Sequence, residues 1–184
     1  GGVHAFDTVQ WGLDADATGP VEVIPPESGK TTGVTFKYAD GTPLHVVNGR
    51  LDPKYHVIPE GWDPVTSIKP FGAVFVGERG WIHVGRQGYL TCYPSDIIRS
   101  LPGHYDHGVT VGDHHTNWLH AIRTRQKPAC DIAIGCQSTI ISLLGCIARW
   151  TGRSLRWDPA TEQILGDEEA NRMTHRAMRD PCRI

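Results

Sequence analysis

Apolar residues between Val3 and Leu13 recur at helical spacing. Phe6, Val9 and Leu13, with Gln10, fall on one side, while His4, Asp7 and Trp11 fall on the other at i, i+3 and i+7. A loop from Asp14 to Pro20 ends that helix, and Val21–Ile24 is a short strand candidate closed by Pro25-Pro26. Val34, Phe36 and Tyr38 alternate with Thr35 and Lys37, Asp40-Gly41 turns the chain, and Leu44–Val47 returns, which is a hairpin pattern. Residues 48–70 are rich in proline, glycine and charge and read as a long surface excursion, a length compact domains keep for binding or assembly. Three short strands follow, Ala73–Val76, Trp81–Val84 and Tyr89–Cys92, and the glycine-bounded turns between them predict an antiparallel meander.

In the last third the period becomes helical. Asp113 can cap a helix that points Trp118, Leu119 and Ile122 inward, carries Arg123, Arg125 and Lys127 at its C-terminal end, and stops at Pro128. A second helix, from about Gln137 to Trp150, buries Ile140, Ile141, Leu143, Leu144 and Ile147 and exits at Gly152. From Leu155 the tail is extended, then a short acidic helix (Asp167–Met173), then basic. The sum is an α+β fold, an open, mostly antiparallel sheet with helices packed on one face, in one domain over residues 1–184. No GxGxxG follows a strand and no strand–helix–strand alternation occurs, so a Rossmann nucleotide site is not encoded here.

With 184 residues, 18 basic and 20 acidic, the formal charge is −2, and the apolar share is 39%. No uninterrupted apolar run approaches the roughly 18 residues of a membrane span. The near-neutral balance, without a basic stripe, argues against nucleic acid as a partner. The opening GGVHAFD has neither a basic n-region nor an apolar h-region, and so does not read as a signal peptide. Cys92, Cys130, Cys136, Cys146 and Cys182 form no CxxC pair and are expected as reduced, mostly buried thiols, which points toward a reducing compartment.

Two constellations can carry chemistry. His4 and Asp7, three apart on one helix face, can meet, and a carboxylate beside an imidazole fixes its tautomer and raises its basicity. Such a pair serves as a general base or as a partner for a substrate hydroxyl, and Trp11 on the same face can stack on a sugar ring. The second is the stretch of His104, His107, His114, His115 and His120, where His104, His107 and His114 can hold a divalent metal. Against each stands a plainer reading, a helix-start histidine satisfied by its neighbour and a polar loop feeding a helix. Ser138, Ser142 and Ser154 lack an adjacent base, so no hydrolase triad is expected, and Glu168 and Glu169 read as a solvated helix face.

HAFDTVQWGL, TGPVEV, FVGERGWIHV, HHTNWLHAIRTRQKPACDIAIG and LRWDPATEQILGDEEANR form an ordered series from His4 to about Asp180. The series resembles the C-terminal domain of the glucose–fructose oxidoreductase / inositol dehydrogenase / MocA (Gfo/Idh/MocA) family, bacterial type. The resemblance implies a C-terminal domain like that of dihydrodipicolinate reductase or glyceraldehyde-phosphate dehydrogenase. It also implies a parent enzyme whose Rossmann domain binds NAD or NADP and carries a catalytic lysine, and a homo-oligomer acting on a carbohydrate or polyol. His4 matches the family's catalytic histidine and Asp7 the aspartate of the same H-x-x-D motif. Arg86, beside Gly85, is a candidate substrate contact. The Rossmann domain and the lysine are absent from these 184 residues. The chain alone is therefore expected to hold no cofactor and not to transfer hydride. The competing readings are a non-catalytic, self-associating module and a metal site on the histidine-rich stretch; no nucleic acid and no membrane are expected as partners.

Overall fold

In a computed structural model of the chain, the residues described are 2–27, 33–47, 49–54, 56–63, 65–69, 71–86, 88–99 and 114–180. Helix α1 (Val3–Gly12) forms on the predicted stripe: Val9 and Gln10 are buried, Phe6 and Leu13 half-buried, and His4 and Trp11 exposed. It ends where Asp14 takes a left-handed φ of 53° and the buried Gln10 amide donates from Nε2 to the Ala15 carbonyl at 2.7 Å. Then come β1 (Glu22–Ile24), β2 (Thr35–Lys37), β3 (Pro43–His45), β4 (Ala73–Gly77), β5 (Gly80–Val84), β6 (Leu90–Tyr93), and helices α2 (Asp96–Arg99), α3 (His114–Thr124) and α4 (Ile132–Thr151). Strands β7 (Leu155–Asp158) and β8 (Gln163–Leu165) and helix α5 (Glu168–Arg172) complete the order. The architecture is α+β with antiparallel sheets, as expected. The described strands form two separate sheets rather than one, and the chain divides into two compact units.

The first unit comprises residues 1–17 and 49–138. Its sheet is the predicted meander, in order β4-β5-β6, with Val74 opposite His83 and Ile82 opposite Cys92. Helix α1 lies close to β4 at Gly12, where a Cβ would stand 2.5 Å from the Phe75 ring. The 48–70 excursion is not wholly at the surface. Trp62 is 5% exposed and packs edge-on against Trp81 at 4.8 Å, while the Trp81 indole donates to the Glu60 carbonyl at 2.9 Å. Burying one large aromatic ring offsets part of the ordering cost of so long a segment.

The second unit comprises residues 18–48 and 139–184. Its five-stranded antiparallel sheet runs β3-β2-β1-β7-β8, so the tail strand β7 is inserted beside β1. Val23, Phe36, Leu155 and Ile164 from the sheet are buried, as are Ile141, Leu144, Ile147 and Ala148 from α4. Full burial of side chains this size contributes about 1.5–3 kcal/mol each. Helix α4 lies tightly on Phe36 at Gly145, and Gly152 ends it with a φ of 66°. Asp167 caps α5, accepting from the Ala170 N–H at 3.0 Å, and Arg153 binds Asp167 and Glu169.

Several expectations change. Trp118, Leu119 and Ile122 of α3, expected to face inward, are exposed, and so is Leu143 of α4, expected to be buried. Among the described residues α4 is long and apolar enough to cross a membrane by length and composition, with a mean hydropathy of 1.5. Gln137, Ser138, Thr139 and Ser142 interrupt its apolar residues, so no consecutive apolar run marks it in the sequence. Its buried stripe of Ile141, Leu144, Ile147 and Ala148 gives the helix a place in the protein's own core. Of the four described cysteines, all free, Cys130 and Cys136 are exposed and Cys92 and Cys146 half-buried, so the expectation of mostly buried thiols does not hold.

Candidate functional site

The first two turns of α1 present His4, Asp7 and Thr8 on one side, at i, i+3 and i+4. Together with Phe71, Val84, Gly85 and Arg86 they line an open hollow of about 240 Å³. Each polar group is held differently. The Thr8 hydroxyl is occupied, donating to the His4 carbonyl at 3.0 Å. Asp7 accepts at Oδ1 from the Ser138 hydroxyl at 2.8 Å, and Ser138 itself is 1% exposed. The His4 ring has no hydrogen-bond partner among the described residues and meets Phe71 edge-on, with ring centroids 5.7 Å apart. The guanidinium of Arg86 stands 4.9 Å over the same ring.

Phe71 is therefore the hinge of this arrangement, and its backbone is strained, with a φ of 57°. A left-handed conformation costs a bulky L-residue about 1–2 kcal/mol, and such residues collect at functional sites. The next residue has to be glycine, because a Cβ on Gly72 would stand 2.4 Å from the Val84 carbonyl oxygen. On β5, His83 is fully buried; its Nε2 accepts the Lys69 N–H at 3.1 Å, so the proton of the neutral ring sits on Nδ1, which has no partner among the described residues. Burial, and then the Lys69 charge, hold the His83 pKa below its ordinary value.

Residues 94–184 match the sequence model described as the oxidoreductase family, C-terminal alpha/beta domain, of the Gfo/Idh/MocA group. Over that stretch the chain is similar to the C-terminal domain of the Gfo/Idh/MocA oxidoreductases. No curated protein and no solved structure matches it. The matched stretch includes α2, α3, α4, β7, β8 and α5, while α1 and the other residues lining the hollow precede it.

Of the residues singled out from the sequence, His4, Asp7 and Arg86 come together around the hollow. No hydrogen bond joins His4 to Asp7, whose Oδ1 is turned to Ser138 instead. Trp11 is 65% exposed and does not line the hollow. His104 and His107 of the metal reading lie outside the described residues, as do Asp113 and Cys182; among the described residues no three His, Cys, Asp or Glu side chains are placed to hold a metal ion. Burial, followed by the carboxylates of Asp7, Asp16 and Asp131, pushes the Cys130 thiol up, which disfavours a thiolate there.

Phe71 carries no mark in the sequence, and Ser138 reads there only as a serine without an adjacent base, not as the partner of Asp7. Nothing local marks a strained phenylalanine, though Gly72 and Gly85 hint at close backbone approach. Ser138 lies 131 residues from Asp7, a distance no spacing argument bridges. The described strand pairs are all antiparallel, so the described residues form no parallel strand–helix–strand crevice of the kind that cradles a dinucleotide.

Proposed function

We propose that this chain is the substrate-binding and oligomerisation part of an NAD- or NADP-dependent sugar or polyol oxidoreductase, the cofactor being held by another domain. The observation that supports it most is the hollow itself, where an imidazole without a hydrogen-bond partner, a carboxylate and a guanidinium converge on an apolar ring. A carbinol placed there can hand its hydroxyl proton to a ring nitrogen of His4. Asp7, fixed by the Ser138 hydroxyl, stands on the wall of the same hollow as an acceptor for a second substrate hydroxyl. Arg86 binds the far end of the substrate, and Trp11 has a peripheral part at most.

In the enzyme that unites this domain with a nicotinamide-binding one, His4→Ala lowers turnover by about 10²-fold or more. Unchanged turnover refutes the assignment. Titration of the 184-residue chain with NADH and NADPH, followed by tryptophan fluorescence, is expected to show no binding; saturable micromolar binding would mean the chain holds a nucleotide site of its own.

Self-association rests on a separate observation. Trp118, Leu119 and Ile122 on α3, and Leu143 and Trp150 on α4, are large apolar side chains left in solvent. Light scattering at micromolar concentration is expected to give a dimer or higher oligomer, and a strict monomer removes the oligomerisation role.

A further inference from the structure

Arg86 is an exposed arginine with no carboxylate in ion-pair reach and no acceptor for its N–H groups among the described residues; its guanidinium lies over the ring of Phe71. Elsewhere in the same chain an exposed arginine with carboxylates nearby uses them: Arg153 bonds Asp167 through Nε and Nη2 and Glu169 through Nη2. A guanidinium resting over an aromatic ring is already oriented, so it loses less freedom when an acceptor arrives, and its N–H fork matches the two oxygens of a carboxylate. Phe71 holds that ring in place at the cost of a left-handed backbone, and the same ring touches His4. Imidazole and guanidinium are thus separated by no more than the 5.7 Å and 4.9 Å legs laid end to end, within reach of one sugar acid.

We propose that the substrate bears a carboxylate as well as the reacting hydroxyl, and that Arg86 recognises that carboxylate while Phe71 positions Arg86 and His4 at its two ends. The inference rests on the reading of the hollow as a carbinol site and adds the charge of the substrate to it. A carboxylate suits the site better than a phosphate ester. Among the described residues the hollow offers one guanidinium, and the Asp7 carboxylate on its wall repels a dianion more than a monoanion.

The test is an NMR titration of the isotopically labelled 184-residue chain with glucuronate, gluconate, glucose, sorbitol and glucose 6-phosphate, following the His4 Cε1–H and Arg86 Nε–H signals. The expected result is that the two acids shift both signals and bind about tenfold more tightly than the neutral compounds. Arg86→Gln brings their affinity down to the neutral level, and Arg86→Lys, which keeps the charge but loses the fork, falls between. Equal affinity of acids and neutral compounds, or tighter binding of glucose 6-phosphate, overturns the carboxylate assignment; a His4 signal that still moves with glucose or sorbitol then leaves the carbinol reading standing. A His4 signal that moves with none of the five overturns both.

Discussion

The contact between Phe36 and Gly145 tests whether α4 lies on the five-stranded sheet as described. Phe36 is fully buried, and a methyl group added at Gly145 would stand 3.1 Å from the Phe36 Cζ, closer than carbon atoms ordinarily approach. Gly145→Ala in the middle of α4 should by itself gain about 1 kcal/mol of helix propensity. Pressed against a ring that has no room to retreat, it also incurs an overpacking cost of about 1–3 kcal/mol. The net effect in the wild-type background is a loss of about 0–2 kcal/mol. Phe36→Leu removes the end of the ring and costs about 1 kcal/mol alone. In that background the added methyl enters vacated space, so Gly145→Ala should recover its gain of about 1 kcal/mol. The coupling energy is then about 1–3 kcal/mol, well above the few tenths found between independent sites. Urea unfolding of the four proteins measures it from the midpoints, provided the slopes agree. A Gly145→Ala change that stabilises both backgrounds equally would refute the packing of α4 on Phe36.

Other outcomes follow from the same geometry. Gly80→Ala, at a φ of 140° with its Cβ 1.8 Å from the Tyr93 carbonyl oxygen, should cost more than about 3 kcal/mol, whereas Gly88→Ala, at a φ of 73° with nothing within 4 Å, should cost only about 1–2 kcal/mol; similar losses would discount the contact. Because the folded His83 pKa lies below its unfolded value of 6.5, the unfolded chain takes up the proton first, so stability should fall as pH drops below 6.5 toward the folded value. His83→Gln should flatten that dependence in urea titrations, and an unchanged slope would show that other groups carry it. The Asp167 carboxyl is held down chiefly by its hydrogen bond from Arg153, so its contribution is present above the unfolded carboxylate value and lost as pH falls through the folded one. Arg153→Gln should narrow the acid dependence of amide-exchange protection in α5; protection that varies with pH as before would count against the ion pair.

Sequence alone determined what rests on neighbours along the chain. The α1 stripe, the hairpin at Asp40-Gly41, the meander of β4 to β6 and the Gly152 exit of α4 are local matters of period, turn chemistry and φ, and each is legible from a few consecutive residues. The His4 and Asp7 pair was legible for the same reason, since i and i+3 share a helix face by geometry. Tertiary structure decided the rest. That β7 pairs with β1, that Trp62 enters the core, that Trp118 of α3 stays in solvent, and that Ser138 rather than His4 takes the Asp7 oxygen all depend on which surfaces meet. An apolar residue in a helix announces that it wants burial, but only the assembled fold says whether a partner surface is present to bury it, and a strained Phe71 can be paid for only by contacts far away in sequence.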